Sequence, residues 1–195
     1  QLWQEWIAAH PNRKRTLGAF FTPSIGVVVR EFSWADELSF GSLTLHDVPV
    51  REATPGEVAL GEPGFRALFG FTALKRLVLV VDGKNGVAYF EMYPSRPTPF
   101  PHNRAGAVFV PEDLHKSEYL TAHVLPGTPA YEANVRDGDA LLKVDDVDAT
   151  RWRTNPAMHQ SDFWERPAGT KLRVTLKREG KEFQTTIVLR DLIGP

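Results

Sequence analysis

Short apolar runs, separated by glycine, proline and acidic residues, form the hydrophobic pattern of the chain. Glycine and proline number 15 each, and apolar runs of this length between turn residues are typical of β-strands. The pattern predicts strands over residues 17–21, 25–32, 37–40, 43–50, 107–110, 119–124, 140–144, 172–177 and 183–189. Helical spacing predicts short helices at 2–10, 64–74, 129–134 and 156–164. The fold class is therefore predicted to be mostly β, with a few short helices.

A β-hairpin is the clearest local prediction. The apolar run 77–81 is followed by Asp-Gly-Lys-Asn-Gly at 82–86 and by a second apolar run at 87–90. Two apolar runs around a short turn rich in Asp, Asn and Gly predict two antiparallel strands.

A proline-rich segment divides the chain. Pro94, Pro97, Pro99 and Pro101 fall within residues 93–103, and prolines at this density favour an extended connector with few hydrogen bonds. We therefore expect one domain at 1–95 and a second at 96–195. Each half has the size of a small module.

Composition removes several classes of function. Lys and Arg total 23 against 24 Asp and Glu, which gives a net charge of −1 and argues against a nucleic-acid partner. Without cysteine the chain forms no disulfide, thiolate zinc site or cysteine nucleophile. The six histidines include no pair at helical ligand spacing, so neither a metal nor a cofactor is predicted. No apolar run approaches the roughly 18 residues of a membrane span.

Motifs in the second half resemble those of a PDZ domain. They are Pro-Gly-Thr-Pro-Ala at 126–130, Asp-Gly-Asp at 137–139 before a strand that ends in Asp-Asp, and Gly-Thr at 169–170 before another strand. The resemblance implies a module that binds an extended peptide, usually a protein C-terminus, by adding it as a strand to its own sheet. Peptide or protein C-termini are therefore the expected partners.

The PDZ resemblance also implies which residues bind the peptide. Main-chain N–H groups of a loop would receive the terminal carboxylate, and Gly106 would keep a Cβ out of their way. A helix at 156–164 would face this loop, with His159 lining the groove or remaining an ordinary exposed residue, and with Phe163 in the core. The implied peptide-binding residues are Arg104, Ala105, Gly106, Ala107, Val108 and His159.

Motifs in the first half resemble the closing portion of a retropepsin-like aspartic protease domain. They are Leu-Phe-Gly at 68–70, the hairpin-like segment 38–50 and the strand pair at 77–90. The order of the two halves, with His-Asn-Arg-Ala-Gly at 102–106 between them, resembles bacterial aspartyl-protease-like proteins that carry a C-terminal PDZ domain. The resemblance implies a partial retropepsin-like β-barrel followed by a PDZ domain.

The chain departs from the aspartic protease pattern at the catalytic residue. No Asp is followed by Thr-Gly or Ser-Gly, the turn that holds each catalytic carboxylate in that family. Asp82 falls in the hairpin turn, and Asp137 and Asp139 belong to the PDZ motif, so no catalytic residue is predicted. We therefore expect a chain that is inactive alone and forms the C-terminal part of an aspartic-type endopeptidase.

The resemblance further implies an assembly and a location. Retropepsin-like sites are completed by two halves, so a homodimer or pairing with a missing protease half is expected. A periplasmic, secreted or envelope-associated protein is favoured, although the sequence itself does not fix the compartment.

Two other functions remain open. The first is a non-enzymatic peptide-binding or scaffold protein, and the second is the PDZ module of a serine-type protease. The chain has no Gly-x-Ser-x-Gly turn, which disfavours a Ser–His–Asp hydrolase, whereas a Ser–Lys dyad stays open.

Overall fold

The computed structural model describes residues 2–22, 26–53, 70–93, 101–155, 158 and 162–193. This part of the chain is mostly β, as predicted, and its sheets are antiparallel. Its strands are β1 (Thr16–Thr22), β2 (Gly26–Phe40), β3 (Leu43–Arg51), β4 (Leu77–Asp82), β5 (Val87–Met92), β6 (Ala107–Val110), β7 (Leu120–Val124), β8 (Ala140–Val144), β9 (Val147–Asp148), β10 (Lys171–Arg178) and β11 (Lys181–Val188). Its helices are α1 (Leu2–Ala9), α2 (Phe71–Leu74), α3 (Pro129–Glu132) and a 3₁₀ turn at Phe163–Glu165. None of these helices has the length and apolar character needed to cross a bilayer.

The described residues fall into two compact units, and neither is continuous in sequence. Unit 1 contains the described residues of 1–13 and 34–100, and unit 2 those of 14–33 and 101–193. The segment 14–33 thus belongs to the second unit, whereas the sequence places it in the first half. The sequence carries no boundary signal near Ser33, because β2 continues past it without a glycine or proline to end it. The domain types assigned to 1–95 and 96–195 stay predictions.

Unit 1 is built around a small apolar cluster. Leu45, Val48, Ala73 and Leu77 are all buried within it. Leu45 and Val48 come from β3, Ala73 from α2, and Leu77 from the start of β4.

The hairpin predicted at 77–90 is present as β4 and β5. Its register runs from Leu77 opposite Met92 to Asp82 opposite Val87. The Asp82 carboxylate accepts hydrogen bonds from the backbone N–H groups of Lys84 and Asn85, both at 3.1 Å. Asp82 therefore stabilises the turn, which confirms its predicted structural role.

The described strands do not form the retropepsin-like barrel that the first half was expected to contribute. They form three open sheets: β1-β2-β3, β4-β5, and the sheet of unit 2. The β4-β5 ribbon is a separate two-stranded sheet with apolar side chains exposed on both of its faces; Val80, Val81 and Tyr89 are more than half exposed. A barrel requires strands whose outer edges pair with one another, and neither edge of this ribbon is paired to a third described strand.

Unit 2 contains the larger sheet, with strand order β11-β10-β8-β7-β6 and with β9 paired to β8. The sequence of β10 shows why one face is buried. Leu172, Val174 and Leu176 are almost fully buried and alternate with more exposed residues, as expected when successive side chains of a strand point to opposite faces. The core beneath them also contains Ala105, Ala107, Phe109, Ala122, Val135, Leu141, Val144, Phe163 and Ile187.

A buried ion pair fixes the Asp-Gly-Asp turn before β8. The Asp139 side chain is fully buried and lies 2.6 and 2.7 Å from Nε and Nη2 of Arg178 in β10. It also accepts the backbone N–H of Arg136 at 2.9 Å. The hydrogen bond from Arg178 to this carboxylate raises the pKa of the guanidinium above its usual value. A buried charge is tolerated when it is paired and hydrogen-bonded in this way.

Truncation of the unit 2 core is expected to destabilise the protein strongly. Leu176→Ala removes a side chain with no exposure and should lower the free energy of unfolding by about 2–5 kcal/mol, because it leaves a cavity as well as losing apolar contacts. Urea denaturation measures the change. The control is Val188→Ala in β11, where 47% of the residue is exposed; its effect should stay within about 0.5 kcal/mol. Equal effects of the two variants would contradict this assignment of the core.

Candidate peptide-binding site

The segment before β6 directs two backbone N–H groups at one oxygen atom. The N–H groups of Ala105 and Gly106 donate to Oδ1 of Asn103, at 2.8 and 3.1 Å. Adjacent N–H groups that converge in this way form a small concave site for an anion or a carboxylate oxygen. We call Asn103–Gly106 the amide loop. It overlaps the loop 104–107 that the PDZ resemblance implied would receive a peptide carboxylate.

Gly106 is required at its position for two reasons. Its φ is +70°, a conformation that costs other L-residues about 1–2 kcal/mol. In addition, a Cβ at this position would overlap the Thr128 side chain. Thr128 is buried and donates its hydroxyl to the carbonyl of Leu125 at 2.6 Å, so it cannot readily move aside.

The amide loop is attached to the Pro-Gly-Thr-Pro-Ala turn by backbone hydrogen bonds. The Ala130 N–H donates to the carbonyl of Ala105, and the Leu125 N–H donates to that of Gly106, both at 2.9 Å. The Pro-Gly-Thr-Pro-Ala turn and Leu125 just before it thus hold the amide loop in place. The direction of the N–H groups of Ala105 and Gly106 is a consequence of this support.

β6 is the edge strand of the unit 2 sheet. Since Leu125 bonds to Gly106, and bonded and non-bonded pairs alternate along an antiparallel ladder, Ala107 and Phe109 direct their N–H and C=O groups away from β7. β1 contacts β6 on this side, and the Ala107 carbonyl accepts Nδ2 of Asn103 at 2.7 Å. The outward backbone groups of Ala107 and Phe109 have the spacing that an added strand would use in place of β1.

The side chains of β6 are buried on both faces of the strand. Ala107 and Phe109 belong to the core cluster, and the Phe109 ring stacks on Trp164 with centroids 5.0 Å apart. Val108 and Val110 point to the other face, and each is less than a tenth exposed. Val108 therefore contributes packing, and no side chain of β6 is exposed enough to contact a ligand.

Arg104 anchors the loop by its side chain. Its Nε bonds to the Asp191 carboxylate and its Nη1 donates to the carbonyl of Glu165 at 2.6 Å. The backbone N–H of Arg104 donates to the carbonyl of Trp164 at 2.7 Å. The hydrogen bond from Arg104 lowers the pKa of Asp191 below its usual value. Arg104 thus holds the loop to the end of unit 2.

The helix expected opposite the loop is described only in part. His159 lies outside the described residues, so its place in the groove stays a prediction. Met158 is helical and packs against the core. Phe163 is 3% exposed within the same core, which confirms the expectation that it packs in the interior.

Asn103 was not among the site residues predicted from the sequence, although its side chain accepts the N–H groups of Ala105 and Gly106 and donates to Ala107. Its backbone carbonyl accepts the Thr16 hydroxyl at 2.7 Å, which ties the loop to the hairpin of β1 and β2. An Asn two residues before a turn commonly accepts backbone N–H groups, and this was the available signal. The contribution of Thr16 could not be anticipated, because it lies 87 residues away in sequence.

The acidic residues of the Asp-Gly-Asp motif have structural partners, and the described part of the chain contains no metal cluster. No group of three His, Asp or Glu side chains there could hold a metal ion. Asp137 accepts the backbone N–H of Val124 at 2.6 Å, and Asp139 pairs with Arg178. Both aspartates of the Asp-Gly-Asp motif therefore have structural roles, as predicted.

Comparison with known proteins gives distant structural likeness only. No protein-family model and no curated protein matches the chain. Among solved structures it is similar to a serine endoprotease from Yersinia pestis, at 18% identity and a TM-score of 0.35. The match covers 93% of this chain and 62% of the other. So low a score carries no argument about activity. The retropepsin-like resemblance of the first half gains no support from any comparison.

Substitution of Gly106 should separate backbone strain from steric overlap. Gly106→Ala introduces both, whereas Gly127→Ala introduces strain alone, because Gly127 has a φ of +75° and open space around it. We expect about 1 kcal/mol of destabilisation for Gly127→Ala and at least about 2 kcal/mol more for Gly106→Ala, measured by urea denaturation. Equal losses would show that the contact with Thr128 does not constrain the loop.

The Arg104–Asp191 pair predicts a pH dependence of stability. Because the pKa of Asp191 is lowered in the folded protein, its carboxylate stabilises the fold above the unfolded pKa of about 3.9 and loses this effect as the pH falls through the folded pKa. Asp191→Asn should therefore destabilise the protein at pH 7 and converge with the wild type in acid. Asp162→Asn, at an exposed position, controls for the loss of a charge. A pH-independent difference would contradict the pairing.

Proposed function

We propose that unit 2 is a PDZ-type module that binds the C-terminal segment of a peptide or protein. The terminal carboxylate is received by the N–H groups of Ala105 and Gly106, and the peptide backbone pairs with the outer edge of β6. The observation that carries the proposal is the convergence of these two N–H groups on one oxygen atom, at 2.8 and 3.1 Å. Each step of binding has a physical basis in the described residues.

The carboxylate end of the peptide is favoured by the amide loop. Hydrogen bonds from N–H groups to a carboxylate are about twice as strong as those to a neutral oxygen. Gly106 and the contact with Thr128 hold the loop in the required conformation before a ligand arrives, so little conformational entropy is lost on binding.

The backbone of the peptide is favoured by the edge of β6. The backbone groups of Ala107 and Phe109 face outward from β6, on the side where β1 contacts it, so a peptide would take the place of β1 at this edge. An extended peptide that pairs with such an edge forms main-chain bonds at alternate residues. Affinity would then come from the backbone and the carboxylate, since Ala105 and Ala107 are fully buried small residues and offer no large side-chain contact.

The role of this module in a longer protein is a separate proposal with three alternatives. It serves an aspartic-type endopeptidase, a serine-type protease or a non-enzymatic scaffold. The likeness to a serine endoprotease is too distant to choose among them, and nothing in the comparisons favours the aspartic-type alternative. The chain itself is expected to cleave no peptide, because it has neither an Asp-Thr/Ser-Gly nor a Gly-x-Ser-x-Gly turn.

A peptide library with defined C-termini tests the binding proposal. Peptides with a free carboxylate should bind at least about tenfold more tightly than the same peptides with a C-terminal amide, because two charge-assisted hydrogen bonds are lost in the amide. Fluorescence polarisation with the full chain measures both affinities.

The matched control uses N-methylated versions of the best peptide. Methylation removes one N–H at a time, so strand addition should give losses at alternate positions and tolerance between them. Equal binding of carboxylate and amide peptides, or tolerance of methylation at every position, would overturn the proposed function.

A further inference from the structure

The Asn103 carboxamide has every hydrogen-bonding position in use. Its Oδ1 accepts the N–H groups of Ala105 and Gly106. Its Nδ2 donates to the carbonyls of Ala107 at 2.7 Å and of Leu17 at 3.0 Å. A side-chain amide offers two donors and two acceptor sites, so this group is saturated by protein partners.

The oxygen atom of Asn103 occupies the position that a ligand carboxylate would need. It accepts the same two N–H groups to which the proposed function assigns the carboxylate. The Nδ2 group occupies the edge next to it, because the carbonyl of Ala107 faces outward from β6. A peptide cannot engage this end of the groove until the Asn103 side chain has left it.

The hairpin of β1 and β2 holds Asn103 in place. The Thr16 hydroxyl donates to the Asn103 carbonyl at 2.7 Å, and the carbonyl of Leu17 shares the Nδ2 donor with that of Ala107. Two carbonyls that share one donor lie close together, so β1 runs beside β6 at the edge where a peptide would add. Thr16 and Leu17 are both buried, as expected for a packed contact.

We propose that Asn103 is an internal competitor of the peptide carboxylate and thereby sets the affinity and the end-group selectivity of the module. The proposal rests on the proposed function and adds to it a displacement step. A ligand must provide a stronger hydrogen-bond acceptor for the two N–H groups than the neutral amide oxygen of Asn103. A carboxylate does so, because its hydrogen bonds are charge-assisted, whereas a C-terminal amide does not.

The competition also couples peptide binding to the hairpin. When the Asn103 side chain leaves the loop, its bond to Leu17 is lost as well. A bound peptide therefore loosens the attachment of β1 beside β6. The apparent affinity of the module is its intrinsic affinity multiplied by the fraction of molecules in which Asn103 has withdrawn.

Replacement of Asn103 separates this role from a purely structural one. Asn103→Ala removes the competitor, and we expect it to bind a free-carboxylate peptide about tenfold more tightly than the wild type does, because the site no longer needs to be vacated. The affinity for the amidated peptide should change much less. If Asn103 only shapes the loop, the same variant would weaken binding of the carboxylate peptide, and that result would overturn the proposal.

A second variant acts on the hairpin and leaves the amide loop unchanged. Thr16→Val removes the hydroxyl that donates to Asn103 and should tighten binding of the carboxylate peptide severalfold, in the same direction as Asn103→Ala. The matched control is Thr185→Val, which removes a comparable hydroxyl bond to the carbonyl of Ala133 and should leave binding unchanged. This pair carries the test if Asn103→Ala does not fold. An equal effect of the two threonine variants would overturn the role of the hairpin.

Hydrogen exchange distinguishes failure of this inference from failure of the proposed function. The N–H groups of Ala105 and Gly106 should exchange faster in Asn103→Ala and become protected again when the carboxylate peptide is added. If the carboxylate peptide binds tightly to the wild type and no more tightly to Asn103→Ala, the inference is overturned and the proposed function stands. Faster exchange in the variant, with no peptide bound by either protein, would overturn the proposed function and the inference with it.

Discussion

The contact between Gly106 and Thr128 is the constraint on which the candidate site depends. Gly106 has a positive φ and packs against the buried Thr128, so the chain turns sharply before β6. The hydrogen bonds from the N–H groups of Ala130 and Leu125 hold that turn. The turn directs the N–H groups of Ala105 and Gly106 to a common point, and it aligns β6 so that alternate backbone groups face outward. The chemistry of recognition therefore follows from one local packing contact.

Recognition at such a site depends on charge and backbone geometry more than on side-chain shape. Alanines at 105 and 107 are fully buried and form part of the core. Ligands are therefore distinguished at the amide loop. There each ligand competes with the neutral side-chain amide of Asn103 for the same two N–H groups. Selectivity is then the difference between an anionic and a neutral acceptor at the same two N–H groups.

Local sequence chemistry predicted the local parts of this structure. The turn residues at 82–86 predicted the β4-β5 hairpin, and the apolar run at 107–110 predicted β6 with its observed bounds. Helix α3 ends earlier than predicted because Asn134 adopts a φ of +65°. What the sequence could not reveal was tertiary in origin. The inclusion of 14–33 in unit 2 and the bond from Thr16 to Asn103 join segments far apart in the chain, and no local pattern encodes such pairing.

The divided sequence of unit 2 has a consequence for how the protein folds during synthesis. The hairpin of β1 and β2 leaves the ribosome before β6, the strand beside it, and residues 34–100 lie between them in the sequence. Closing a loop of that length has an entropic cost, and long-range strand contacts of this kind slow folding. The nascent hairpin, with Phe21 exposed even in the folded chain, must therefore remain soluble until its partners have been translated. Chaperone dependence during expression would be the cellular sign of this delay.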